Sequence, residues 1–257
     1  MVRVLHLTDP HLFADSAAEL RGRNTHDTLS AVLAHYREHD WRADVVLATG
    51  DLIQDDTEAA YHRFRDHLAT LDLPVVCAPG NHDIKALMMP VLSTPPFRYC
   101  GTFVQDNWVV VGMDTAVDGE VSGAVTGDEL ARVNAAIIDS GADFAVVGMH
   151  HPPAKMGSVW LDSVGLAEPS AVLAGLAETN KVRLALCGHV HQDFEATFGA
   201  IRCVTTPSTC RQFSKHSITF GVDDNPPAYR RLELAADGSQ NSELVWVSID
   251  KQRSQSL

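Results

Sequence analysis

The chain has 257 residues, 45% hydrophobic and 21% charged, with 20 basic against 33 acidic side chains and a formal net charge of −13. That length carries one large α/β domain with a sizeable core, and that composition excludes wholesale disorder. The acidic balance argues against nucleic acid or an acidic membrane as a general surface partner, and no apolar run approaches the roughly 20 residues of a spanning helix.

Met1 leads at once into an apolar, strand-like run, Val2–Leu7, without the charged and apolar regions of a signal peptide, so none is expected. A helix is expected over Thr25–Glu38, where Leu29, Val32, Leu33 and Tyr36 recur at helical spacing. A strand follows at 44–49, a helix at 57–71 carrying Ala60, Tyr61, Phe64 and Leu68, and strands at 74–78 and Trp108–Met113. Thr126-Gly127-Asp128-Glu129 reads as a capping box opening a helix to about Ile138. Strands at 143–149 and Val182–Cys187 bracket a further helix at 169–178. The strand runs are near-continuous rather than alternating, as in strands buried on both faces. The last third, with strands at 201–206, Ala228–Leu234 and 243–249 and a turn at Asp237-Gly238, predicts an antiparallel component. The fold is therefore expected to be a two-sheet α/β sandwich, a single domain over 1–250 with a polar tail at 251–257.

Chemistry concentrates where strands end. Asp9-Pro10-His11 follows the first strand, Gly50-Asp51 the second, Gly80-Asn81-His82-Asp83 the third, His150-His151 the fifth and Gly188-His189-Val190-His191 the sixth. Ligands of open α/β sheets bind at the carboxyl ends of strands, so one cleft can gather all of these residues. Imidazole and carboxylate without thiolate suits iron, manganese or zinc and excludes a cysteine-type structural zinc site. The five cysteines are odd in number and lack CxxC spacing, the pattern of reduced, buried thiols in a cytoplasmic protein.

These motifs, in this order, resemble the calcineurin-like metallophosphoesterases. Gly148-Met149-His150-His151-Pro152-Pro153, Trp160-Leu161-Asp162, Pro207-Ser208-Thr209-Cys210 and Tyr229-Arg230 resemble one branch, the bacterial class III cyclic-nucleotide phosphodiesterases. The resemblance implies a four-layer α/β/β/α sandwich with two metal ions. Asp9, His11, Asp51 and His191 would hold one ion, and Asp51, Asn81, His150 and His189 the other. It further implies hydrolysis of 3′,5′-cyclic AMP to the 5′-monophosphate by in-line attack of a metal-bridging hydroxide. His82 would be the catalytic proton donor, with Asn81, His82 and His191 touching substrate, and the resemblance implies a homodimer. Asp83 would fix the His82 tautomer. Two divalent ions, less two aspartates and one hydroxide, leave about one positive charge, so an acidic protein can attract an anionic diester. The same metals would serve glycerophosphodiesters, 2′,3′-cyclic nucleotides or phosphomonoesters, and a non-catalytic scaffold of this fold is the reading from another class. No nucleic-acid or membrane partner is expected.

Other polar residues receive plainer readings. His6 reads as a core or edge histidine, His26, His35, His39, His62 and His67 as solvated helix residues, and Asp162 and Arg211 as surface or structural groups. His151 is read as a substrate contact or a packing residue, and His216 as lying near a loop that faces substrate. The pocket walls are expected from 97–103, 155–166 and 209–216.

Overall fold

The computed structural model describes residues 1–249, so the tail expected at 251–257 lies outside the described residues. In chain order the elements are β1 (Val2–Leu7), the short strands β2 (Glu19–Leu20) and β3 (Arg23–Asn24), α1 (Thr25–Glu38), β4 (Val45–Thr49), α2 (Glu58–Ala69) and β5 (Val75–Ala78). Next come α3 (Lys85–Leu92), β6 (Phe97–Tyr99), β7 (Thr102–Gln105), β8 (Trp108–Met113), α4 (Gly127–Asp139), β9 (Phe144–Met149) and α5 (Val159–Ser163). Then follow α6 (Pro169–Ala177), β10 (Val182–Cys187), β11 (Phe194–Phe198), β12 (Ile201–Thr205), β13 (Gln212–Phe213), β14 (Val222–Asp223), β15 (Ala228–Leu234) and β16 (Gln240–Trp246).

The apolar runs form inner strands because both of their faces are covered. Two six-stranded sheets pack face to face, ordered β16-β15-β1-β4-β5-β6 and β11-β12-β10-β9-β8-β7. Val4, Leu47 and Val76 of the first sheet meet Val110, Val146 and Leu186 of the second in a shared inner core. Outside the first sheet, α1, α2 and α3 bury Leu29, Tyr61, Phe64 and Met88 against Leu5, Val46 and Val75. Outside the second, α4 and α6 bury Val133, Ile137, Leu173 and Leu176 against Val109, Val147 and Ala185. The layers therefore run α/β/β/α, as expected.

Both sheets are mixed. In the first, β1, β4, β5 and β6 run parallel, while β15 and β16 join antiparallel beside β1. In the second, β8, β9, β10 and β12 run parallel between antiparallel β7 and β11. The strand expected at 201–206 thus corrects its assignment: β12 lies parallel to β10 and is antiparallel only to β11. The polar edge strand β11, which carries no apolar run, turns the chain round before β12 enters the sheet. The strand expected at 243–249 is shifted to Gln240–Trp246, where its register with β15 ends at the pair Ala228 and Trp246. Half of the capping box forms. Thr126 Oγ1 accepts from Glu129 N at 3.1 Å, but the Glu129 carboxylate turns instead to Asp114 N at 2.7 Å and to Arg132.

Candidate metal centre

Each motif leaves the carboxyl end of a parallel strand, and the hydrogen-bond ladder continues past those ends. Asp9 N donates to Gly50 O at 3.1 Å and His11 N to Asp51 O at 3.0 Å, which holds the first two motifs side by side. In the other sheet Gly188 N donates to His150 O at 3.1 Å. The turns then bend sharply. Asp9, His11, Asp51, His189 and His191 all have positive φ, between 47° and 68°, a conformation non-glycine residues rarely adopt and one that clusters at functional sites. Gly80 allows a close approach: a Cβ there would overlap the Asp51 carboxylate and backbone.

The seven candidate ligands, Asp9, His11, Asp51, Asn81, His150, His189 and His191, converge from both sheets. Asp9, His11 and His191 each bring a donor atom within 4.8 Å of the others, as do Asp9, Asp51 and His150. His191 Nε2 lies 3.1 Å from Asp9 Oδ1 and 3.2 Å from His11 Nε2. His150 Nε2 lies 3.4 Å from Asp51 Oδ1 and 3.1 Å from Asn81 Oδ1, and His189 Nδ1 is 3.0 Å from the same Asn81 oxygen. In three of the four rings the far nitrogen meets a backbone carbonyl, while His11 Nδ1 is buried without a partner among the described residues. His150 Nδ1 donates to Thr49 O at 2.8 Å, His189 Nε2 to Val164 O at 3.1 Å, and His191 Nδ1 to Arg211 O. A carbonyl only accepts, so each contact fixes the ring proton outward and leaves the inner nitrogen of the neutral ring as a lone pair.

This donor set fits metal ions. At Asn81 the amide oxygen faces the lone pair of His189, acceptor against acceptor at hydrogen-bond distance, an arrangement that a cation between them stabilises. Burial drops His11 and His189 to about 3, below the charges that would raise them, so both rings stay neutral. Burial opposes charge on His150 as well, but Asp51 and then Asp9 outweigh it and raise this ring to about 9. Burial likewise opposes the charges of Asp9 and Asp51, and His191 and His150 respectively overcome it, holding both carboxyls below the ordinary range. Buried carboxylates beside imidazoles, three of them with outer nitrogens anchored on carbonyls, are the arrangement of a metal cage.

His82 stands beside this cluster. Its backbone N–H donates to Asp51 Oδ1 at 2.8 Å, and its ring meets His11 edge-on at 5.0 Å between centroids. Asp83 does not set its tautomer. The Asp83 carboxyl is taken by Gly80 N, Leu52 N and the Tyr61 hydroxyl at 2.8, 3.1 and 3.1 Å, and Gln54 Nε2 lies 3.4 Å from His82 Nδ1. Burial and the Asp51 charge push Asp83 up to about 7. His151 is packed behind the cluster, its Nδ1 2.8 Å from Thr115 Oγ1 and its Nε2 3.0 Å from Val121 O, so neither nitrogen is spare. His6 is a core residue bridging Thr206 and Thr49 at 2.7 and 2.8 Å. His26 and His67 are not simply solvated: their rings share a 2.9 Å contact, and burial lowers His67 to about 4. Asp162 is structural, accepting from Met156 N and Gly157 N.

A cavity of about 190 Å³ opens over the cluster, lined at one end by His11, Asp51, Asn81, His82, His189 and His191. Trp160, Leu161, Val164, Arg211 and Phe213 come from the two expected wall segments at 155–166 and 209–216. The segment at 97–103 does not line it, because Phe97 and Phe103 are buried in the cores. His216 lies outside the lining as well. Leu20 and Arg21 of the β2–β3 hairpin, with Gln54, Val121 and Phe220, are wall residues that the sequence patterns did not single out. Arg211, expected as a surface or structural group, is a wall residue too.

A family model described as calcineurin-like phosphoesterase matches residues 2–193. The chain is 35% identical over 247 residues to the 3′,5′-cyclic adenosine monophosphate phosphodiesterase CpdA of Escherichia coli (strain K12), covering 95% of this chain and 89% of that protein. It is 37% identical over 237 residues to the protein of the same name from Pseudomonas aeruginosa, covering 92% and 87%. Among solved structures, a dimetal phosphatase from Danio rerio aligns with a TM-score of 0.64 at 15% identity, covering 96% of this chain and 99% of that one. The TT1561 protein of Thermus thermophilus aligns with a TM-score of 0.64 at 17% identity over the same shares. At that identity the two structures speak to the fold alone.

Proposed function

The chain belongs to the calcineurin-like phosphoesterase family, and from that membership we propose that it is a dimetal phosphodiesterase hydrolysing 3′,5′-cyclic nucleotides, cyclic AMP first, to 5′-monophosphates. The observation that carries this reading is the 35% and 37% identity to named cyclic AMP phosphodiesterases over 95% and 92% of the chain. That match runs well past residue 193 and so takes in the pocket wall.

Asp9, His11, Asp51 and His191 would hold one ion, and Asp51, Asn81, His150 and His189 the other, with iron, manganese or zinc suiting these donors. When bound, such a pair makes water nucleophilic near neutral pH and draws charge from a phosphoryl oxygen. The protein's own groups do the rest. Asn81 and His191 border the space where the diester sits. His82 is anchored through its N–H to Asp51, and Gln54 lies at its Nδ1, so its Nε2 is the atom that passes a proton to the leaving 3′-oxygen. The same proposal takes residues 1–250 as a single domain working in the cytoplasm as a homodimer, without nucleic-acid or membrane partners. Five free cysteines support the reducing compartment, and no helix among the described residues is long and apolar enough to cross a membrane.

The test is a substrate panel. Metal-depleted protein is reloaded with manganese, iron or zinc and assayed on 3′,5′-cyclic AMP, 2′,3′-cyclic AMP, a glycerophosphodiester and a phosphomonoester. The 3′,5′-cyclic substrate should have the highest kcat/KM, and the lowest rank on the panel would defeat the assignment.

A further inference from the structure

The cavity over the cluster has a second end that phosphodiester chemistry does not require. Trp160, Phe213 and Phe220 meet pairwise edge to face, with centroids 5.2, 5.3 and 5.5 Å apart and interplanar angles near 70° (70°, 69° and 72°). Phe213 also stacks on His191 at 3.9 Å and 10°, so this aromatic wall begins at the donor cluster itself. At the far side the Arg21 guanidinium lies 4.2 Å over the Phe220 ring, which is 45% exposed. Trp160 is held in place by its Nε1–H, which donates to Ser217 Oγ at 2.7 Å. Beside them Arg211 is tied by one terminal nitrogen to Asp224 at 2.9 Å.

Three convergent rings and a cation over one of them match a flat, electron-rich heterocycle. We propose that this wall is the nucleobase platform: the purine stacks against Trp160 and Phe220, beside Arg21. The proposal rests on the cyclic-nucleotide reading and names the residues that give it base specificity. Stacking on aromatic side chains favours a bound base by about 10- to 100-fold and tolerates different bases.

The experiment compares 3′,5′-cyclic AMP with ribose 3′,5′-cyclic phosphate, which has the same ester and no base, on full-length, metal-loaded protein. In wild type the nucleotide should be preferred. In Phe220→Ala and in Trp160→Leu the ratio of the two kcat/KM values should fall about 10-fold or more, through KM for the nucleotide, and Phe220→Tyr should restore it. Binding gives an independent readout. Adenosine 5′-monophosphate should quench tryptophan fluorescence in wild type, and the quench should vanish in Trp160→Phe. A ratio unmoved in both variants overturns the platform while leaving cyclic AMP hydrolysis standing. A wild-type enzyme that cleaves the glycerophosphodiester but not cyclic AMP overturns the platform and the substrate assignment together.

Discussion

Among the polar residues around the cluster, His82 combines partial exposure to the cavity with a backbone tied directly to Asp51. A residue so placed can deliver a proton without being part of the cage. His82→Ala should lower kcat by about 10²-fold or more on substrates with poor leaving groups, and much less on activated aryl esters; equal losses on both would remove the proton-donor role. His6 makes a different prediction. Burial, and next the Arg230 charge, lower it to about 3. An unfolded chain takes up that proton near pH 6.5, so between about 6.5 and 3 the unfolded state binds more protons and folding weakens as pH falls. The slope from this one group approaches about 1.4 kcal/mol per pH unit. Urea unfolding of His6→Gln at pH 6.5 and at pH 5 should show a smaller loss than wild type, and an identical loss would clear His6 of the effect.

At the level of elements, the site is made by what happens in the few residues after each strand. Gly188 packs so closely that a Cβ there would overlap Thr8 Oγ1 and the Asp9 carboxylate. Gly188→Ala should therefore cost about 1–3 kcal/mol and lower metal content in the same sample. Gly127→Ala, at a helix start with nothing within 4 Å of the added carbon, should be neutral or slightly stabilising. Thermal melts with metal analysis on both proteins check the pair. The same distinction governs what could be read from the sequence. The inner strands were visible because burial on both faces writes continuous Val, Leu and Ile runs, and the motifs were visible because they follow those runs. Strands β7 and β11 were missed as short edge strands with exposed faces, and β2–β3 because Glu19, Arg23 and Asn24 read as loop. Helix α3 was missed because Pro90 sits inside its eight residues. The tautomer partner of His82 went astray because adjacency in sequence suggested Asp83, whereas the turn aims that carboxyl at Gly80, Leu52 and Tyr61.

For the whole molecule, the candidate donors divide between the two sheets: Asp9, His11, Asp51 and Asn81 leave the first, His150, His189 and His191 the second. Bound ions would then fasten one sheet to the other, a task shared by Arg230, which reaches from β15 to Thr205 O, Thr206 Oγ1 and Asp193. Chelation should lower Tm on the order of 10 °C, as expected for ions held about 1,000-fold below the free concentration, and readdition should restore it; an unchanged melt would mean that no ion spans the sheets. The pairing of Val2 with Leu234 has a consequence for how this protein is born. Strand β1 sits inside its sheet, and one of its two neighbours, β15, is made long after it. Until then β1 has an open flank, so the sheet cannot close before β15 has been made. A chain stopped short of β15 is a substrate for chaperones and proteases rather than a partial enzyme.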